Sequence, residues 1–163
     1  MPFILILIFF YSVGSFMDVR EFAVSTCSDW WCFFTFNLVH LSFIHLLVNS
    51  FVFLSYWRKM KDVINLYFFI PLIIITPALA AMLSSRNTPT LGASAVVYTM
   101  IGLYLVAFPL PKDILIKFLF LIIISFVFTF FFSSVNTGIH IYSFLISLVV
   151  SLLNRRFIHA KGQ

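Results

Sequence analysis

The sequence predicts an all-α integral membrane protein, a bundle of six transmembrane helices that forms a single domain over residues 1–163. Three observations predict this class. The chain is 63% hydrophobic and only 9% charged, whereas soluble domains average about 25% charged residues. Its apolar residues fall into six segments, most of them near the roughly 20 residues that cross a bilayer. Its basic residues lie in short connections, mostly on one side of the predicted bundle.

The six predicted helices follow one another with short connections, at about 2–17, 33–57, 63–83, 91–108, 114–132 and 139–153. The first lacks a basic residue before its apolar core and a small-residue cleavage pattern after it, so we interpret it as a retained helix. Pro71 and Pro77 predict a kink in the third, because neighbouring helices can satisfy the freed backbone groups.

The charge distribution predicts the orientation. Six spans place both termini on one side, and that side carries eight of the ten Lys and Arg residues, with only Arg20 and Arg86 opposite. The positive-inside rule makes this side cytoplasmic. The net charge of +5 is therefore a topology signal and does not indicate nucleic acid as a partner. We predict a multi-pass protein of the lipid bilayer, in a bacterial inner (plasma) membrane.

Polar side chains lie at similar depth in three of the predicted helices. They are His40, His45 and Asn49 in the second, Ser94 in the fourth and His140 in the sixth. Such groups are costly in hydrocarbon and usually face the bundle interior for a functional reason. The topology places them in the outer half, so we predict a site toward the extracytoplasmic side.

These residue types are the ones that acyl transfer needs. A serine hydroxyl becomes a good nucleophile when a base removes its proton, and histidine is the usual base. Ser94 is the candidate nucleophile and His140 the candidate base. His45 and Asn49, four residues apart on one helical face, are candidate donors to an oxyanion. The Ser94 backbone N–H, at a helix start, is another.

The same residues resemble the motifs of the rhomboid family of intramembrane serine proteases. The resemblance lies in WCFFTFNLVHLSFIHLLVN, GASAVVYTMIG and GIHIYSFLIS. These stretches are similar to the family's H-x4-H-x3-N, its G-x-S with a following aromatic, and its lone histidine, here His40, His45, Asn49, Gly92, Ser94, Tyr98 and His140. The resemblance implies a rhomboid-like fold and hydrolysis of peptide bonds in or near transmembrane segments of substrate proteins by a Ser–His dyad, without cofactor or metal.

The resemblance also implies a role for each matched residue. Ser94 and His140 form the dyad, while His45, Asn49 and Gly92 contact the oxyanion or the substrate. Tyr98 would pack against the His140 ring. His40 stands apart, because on one continuous helix it points about 140° from His45 and about 180° from Asn49. We therefore expect His40 to be structural, tying the first outer loop to the second helix.

Several positions depart from the family pattern. Ala95 follows the serine where glycine is common, and Ser143 and Ser147 replace glycines after the last-helix histidine. Small residues still allow close helix approach, so we expect the fourth and sixth helices to pack closely. Trp31 is followed by Cys32 instead of the usual arginine. These departures bear on efficiency more than on fold.

Other interpretations are open from the sequence. A catalytically weak or inactive rhomboid-like protein that binds transmembrane segments is the main alternative. A transporter is disfavoured by the lack of acidic residues within the helices, and a zinc site of His40, His45 and His140 by their angular separation. A disulfide between Cys27 and Cys32 stays open, as do the oligomeric state and the substrate. By resemblance, Phe126, Phe130 and Phe131 on the fifth helix would close against the second.

Overall fold

The computed structural model describes residues 2–14, 22–24, 29–40, 42–84, 89–131 and 135–158. These residues form seven α-helices and one 3-10 helix, and no named strand. The helices are α1 Pro2–Gly14, α2 Cys32–Thr35, α3 Phe43–Met60, α4 Leu66–Leu83, α5 Ser94–Ala107, α6 Lys112–Phe130 and α7 Thr137–Leu153, with the 3-10 helix at Arg155–Phe157. The predicted all-α bundle is confirmed, while the six-span count and the cytoplasmic termini stay predictions.

One of the described helices, α4, is by itself both long and apolar enough to cross a bilayer. Helices α5 and α7 are apolar as well but shorter, at Ser94–Ala107 and Thr137–Leu153. The end of the first predicted helix, 15–17, and the end of the fifth, at residue 132, lie outside the described residues.

The prediction of one continuous second helix over 33–57 is wrong. The chain forms the short helix α2, then a turn and an extended stretch, and α3 begins only at Phe43. The interruption lets the backbone bond to a distant segment, because the Gly92 N–H donates to the Phe36 carbonyl at 2.8 Å. Ser42 then caps α3, its side chain accepting from the His45 N–H, as N-cap serines do.

Helix α5 lies at the centre of the bundle. Ten of its fourteen residues are buried, which is typical of a helix that is apolar on all sides and covered by others. It begins at Ser94 and not at residue 91, because Gly92 adopts a positive φ of 110° that L-residues rarely accept. Val24 pairs with Thr90 in an isolated antiparallel bridge, which ties the first loop to the segment before α5.

Helices α5 and α7 approach each other closely, as expected. A Cβ added at Gly102 would lie 2.6 Å from the Phe144 carbonyl oxygen and 3.0 Å from the Leu148 nitrogen, so the two backbones leave no room for a side chain there. The Ser147 hydroxyl donates to the Thr99 carbonyl at 2.6 Å. The close approach therefore depends on a glycine of α5, with a serine of α7 bonded across the interface.

We expected three phenylalanines of the fifth predicted helix to close against the second helix, and the described contacts of these rings differ from that expectation. Phe130 and Phe131 are 78% and 79% exposed. Phe126 is partly buried, and its ring stacks on Tyr98 of α5 at 5.1 Å and meets Phe144 of α7 at 6.0 Å. The aromatic contact of α6 described here is therefore with α5 and α7.

Candidate active site

Ser94 and His140 come together where α5 and α7 begin. The Ser94 Oγ lies 2.8 Å from the His140 Nε2, a hydrogen-bonding distance. Ser94 is the first residue of α5 and His140 lies in the first turn of α7. His140 is 5% exposed and Ser94 is half-buried. A serine hydroxyl bonded to an imidazole in this way is the arrangement that lets histidine take the serine proton during an attack.

The Tyr98 ring covers one face of His140. The two ring centroids lie 4.7 Å apart with planes inclined by 26°, a stacked arrangement. The Tyr98 hydroxyl and the Ser125 hydroxyl of α6 lie 3.0 Å apart. Since Tyr98 is one turn after Ser94 on the same helix face, it holds the imidazole plane beside the hydroxyl. No motif in the sequence indicates this contact of Ser125.

His45 and Gly92 fit against each other. A Cβ added at Gly92 would lie 2.5 Å from the His45 Cε1, so a side chain there would displace the His45 ring as well as strain the backbone. His45 sits in the first turn of α3 and is half-buried. The glycine thus serves two purposes, a left-handed turn before Ser94 and space for the imidazole.

His40 lies beside Asn49 and the loop before Ser94. The Ala93 N–H donates to the His40 Nε2 at 3.1 Å, and the Asn49 Nδ2 lies 3.3 Å from the same nitrogen. Its ring meets that of His45 at 5.2 Å, edge to face. The predicted separation of His40 from these residues is therefore wrong, because His40 precedes α3 instead of lying on it.

The Nε2 of His40 accepts from the Ala93 N–H, which makes Asn49 Nδ2 a second donor to it and places the ring proton on Nδ1. His40 and Asn49 are 2% and 6% exposed. These bonds join the start of α3 to the turn that carries Ser94. His40 thus links Asn49 of α3 to Ala93 before Ser94, whereas the sequence suggested a link between the first outer loop and the second helix; its structural role stays a prediction.

Asn136 and Ser84 form a further contact that sequence reasoning missed. The Asn136 side chain caps α7 by accepting from the Ile139 N–H at 3.3 Å, and the Ser84 hydroxyl donates to the same Oδ1 at 2.7 Å. Ser84 ends α4, so this bond fixes the start of α7 one turn before His140. An asparagine before a helix is a recognisable N-cap signal, but nothing local indicates a partner 52 residues away.

A cleft of about 690 Å3 opens in front of these side chains. Its lining includes His45, Asn49, Ser94, Tyr98, Ser125 and His140. The volume lies within the roughly 300–1,000 Å3 of small-ligand and substrate sites. Five of the seven predicted site residues, on three helices, therefore line one cleft, while His40 and Gly92 contact residues of that lining.

Among the described residues, no group of three or more His, Cys, Asp or Glu side chains is arranged to hold a metal ion. Cys32 is buried in the core cluster that also contains Phe33, Phe36 and Val39. Its candidate disulfide partner Cys27 lies outside the described residues.

A helical bundle that joins a serine and a histidine beside a cleft has the nucleophile–base pair that serine hydrolases use. A search of curated proteins gave no match. The family profile described as Rhomboid domain matches residues 27–157, most of the chain. The chain therefore belongs to the rhomboid family, and it is an integral membrane protein. Rhomboids in general are intramembrane proteases that act on transmembrane proteins, although the family also includes inactive homologues.

Proposed function

We propose that this rhomboid is an active serine endopeptidase that hydrolyses peptide bonds in or near transmembrane segments of other membrane proteins. The observation that carries the proposal is the 2.8 Å contact between the Ser94 Oγ and the His140 Nε2. The contact lies in a cleft that also presents His45 and Asn49. A protein that only binds transmembrane segments has no need of this hydroxyl–imidazole pair.

In the proposed reaction, the Ser94 Oγ attacks the carbonyl carbon of the substrate while the His140 Nε2 takes the hydroxyl proton. The electron pair of the C=O double bond moves onto its oxygen. When the C–N bond breaks, His140 gives its proton to the leaving amine, and the substrate stays attached to Ser94 as an ester. A water molecule, deprotonated by His140, then hydrolyses that ester and regenerates the serine.

The developing oxyanion needs donors that are already in place. We assign this role to the Ser94 backbone N–H, the His45 ring and the Asn49 amide. Ser94 begins α5, so its N–H has no carbonyl partner within the helix. The Asn49 Nδ2 carries two protons, and one bond to His40 leaves the second for the substrate. His40 is then a positioning residue, since it acts through Asn49 and Ala93.

The depth of the site limits which peptide bonds can reach it. A transmembrane helix hides its carbonyls in its own hydrogen bonds and in lipid. With the active site toward the extracytoplasmic side, as we propose from the charge distribution, the substrate unwinds in its outer half. Preferred substrates therefore carry a helix-destabilising Gly or Pro there, and a small residue before the cleaved bond.

The decisive experiment is labelling with a fluorophosphonate probe in liposomes. The wild-type protein and a Ser55→Ala control, whose hydroxyl bonds within α3 outside the cleft, should both be labelled, and Ser94→Ala should not. Absence of labelling in the wild type, or labelling that survives Ser94→Ala, would favour the inactive rhomboid-like protein instead. A cleavage assay on a transmembrane substrate with Gly in its outer half then tests the substrate class.

A further inference from the structure

Among the described residues, two of the buried polar atoms of α7 that lack a hydrogen-bond partner belong to His140 and to Ser143, one turn later. Within the described part of the chain, the His140 Nδ1 and the Ser143 Oγ have no hydrogen-bond partner. Ser143 is 0% exposed. Most buried polar atoms in native proteins are satisfied, and leaving one without a partner is costly in an apolar interior. These two atoms therefore require an explanation.

The two residues share one face of α7. They are three positions apart, which brings their Cβ atoms to about 5–6 Å in a helix. The same face meets α5, since His140 contacts Ser94 and Ser147 donates to Thr99. Ser143 thus lies in the interface between the two helices that carry the candidate dyad, one turn after the base.

The chemistry of the two atoms is complementary. When the His140 Nε2 accepts the bond from the Ser94 hydroxyl, the proton of the neutral ring sits on Nδ1. That Nδ1–H is then a donor that needs an acceptor. A serine hydroxyl carries two acceptor lone pairs and rotates freely enough to present one of them.

We propose that Ser143 is a positioning residue whose hydroxyl accepts the Nδ1–H of His140, by rotation about its Cα–Cβ bond or across one water molecule. This inference rests on the proposed function. The bond keeps the tautomer in which Nε2 faces Ser94, and it stabilises the imidazolium formed after proton transfer. A carboxylate has both tasks in three-membered serine protease sites. Ser143 occupies a position where the family pattern commonly has glycine, so the hydroxyl is a property of this chain.

The kinetic test compares Ser143→Ala with Ser151→Ala. Ser151 is a matched control, because it is equally buried on α7 and its Oγ also lacks a partner among the described residues, two turns further from His140. Ser143→Ala should lower kcat about 3- to 10-fold with KM unchanged, the size expected for one orienting hydrogen bond. The kcat of Ser143→Cys, which keeps a weak acceptor, should lie between those of Ser143→Ala and the wild type. Ser151→Ala should keep the wild-type kcat.

The spectroscopic test uses the protein labelled with 15N in its four histidines, with His140 assigned from His140→Ala. In the wild type, we expect a His140 Nδ1–H proton that exchanges slowly with water. It should exchange faster in Ser143→Ala and be unchanged in Ser151→Ala. A His140 protonated on Nε2 in the wild type would overturn the inference, whether or not any variant folds.

The outcomes separate this inference from the proposed function. If the wild type fails to react with the fluorophosphonate, the proposed function fails. If the wild type reacts but Ser143→Ala and Ser151→Ala share its kcat, only the role of Ser143 is overturned. Should Ser143→Ala not fold, Ser143→Gly and Ser143→Cys decide in its place, and equal kcat values in these two would equally overturn the role.

Discussion

Helices α6 and α7 both lie beside the central helix α5, but they are held to it in different ways. Helix α7 buries six of its residues and meets α5 backbone to backbone at Gly102. Among the side chains of α6 that the structure describes, Ile122 is the one that is buried. Its other described contacts with α5 and α7 include half-buried side chains: the rings of Phe118 and Phe126, which meet Tyr104 and Tyr98, and the hydroxyl of Ser125.

The difference in packing suits two roles, positioning of the dyad by α7 and access to the cleft beside α6. Within a bilayer, packing and interhelical hydrogen bonds hold helices together, because lipid is as apolar as the helix surfaces. Helix α7, which carries His140, therefore has a defined position relative to Ser94. At the cleft, helix α6 meets Tyr98 through the Phe126 ring and the Ser125 hydroxyl, and we expect that it can shift without moving the dyad. The comparison predicts that changes in α5 and α7 affect chemistry or stability, while changes in α6 affect access.

The largest effect should come from the dyad itself. Ser94→Ala and His140→Ala should each lower kcat on a transmembrane substrate by at least about 10³-fold, because each removes one half of a unit that works only as a pair. The double variant should be little worse than either single variant. Initial rates and thermal melts of all three variants are the measurement. Substantial cleavage by folded Ser94→Ala would refute the assignment.

A smaller effect is expected at the oxyanion position. Asn49→Ala should slow cleavage about 10- to 100-fold, less than the roughly 10²- to 10³-fold loss of a single donor in a soluble protease, because two further donors remain. Its melting temperature should fall modestly, since His40 loses one of its partners. Ser50→Ala on the same helix is the control and should keep the wild-type rate. If Asn49→Ala unfolds the protein outright, Asn49 is structural and the oxyanion role is unsupported.

The sequence predicted the helical class and all the residues that meet at the dyad, because the polar residues stand out against an apolar background and match a family pattern. It did not predict the interruption between Thr35 and Phe43. The apolar run there reads as one helix, and the bonds that break it go to Gly92 and Ala93, more than 50 residues away. The spacing of apolar residues and the composition of a segment carry no information about such distant partners.

The position of His40 could not be predicted for the same reason, because its partner Ala93 is distant in the sequence. The angle of about 140° between His40 and His45 holds only on one continuous helix, and α3 begins after His40. The contact between Ser84 and Asn136 was missed for a related reason, since only the cap at Asn136 has a local signature. Ser143 stands out in the sequence as a departure from a glycine pattern, but nothing local indicates that the His140 Nδ1, one turn earlier, lacks a partner among the described residues.

The stability of the interface between α5 and α7 should be sensitive to the addition of one methyl group. Gly102→Ala would place a Cβ 2.6 Å from the Phe144 carbonyl oxygen and 3.0 Å from the Leu148 nitrogen, and these two nearest atoms belong to the backbone. Overpacking of this kind costs about 1–3 kcal/mol, so the melting temperature should drop by several degrees. Leu145→Ala, on the exposed side of α7, is the control and should melt near the wild type. A normal melt for Gly102→Ala would show that the interface is not as tightly packed as described.

The smallest effect should be found on α6. Phe126→Ala removes the ring that stacks on Tyr98, an aromatic contact of about 0.5–1.5 kcal/mol, while Tyr98 keeps Ser125 and its stack on His140. The dyad should stay intact and the cleft should open more readily, so turnover of a transmembrane substrate should rise about two- to threefold, a change of less than about 1 kcal/mol in barrier. Phe130→Ala is the matched control, because that ring is 78% exposed and its loss should change neither rate nor melting temperature. The measurement is initial rate against melting temperature for both variants. If Phe126→Ala loses stability without any gain in rate, α6 does not limit access, and its sparse packing has another cause.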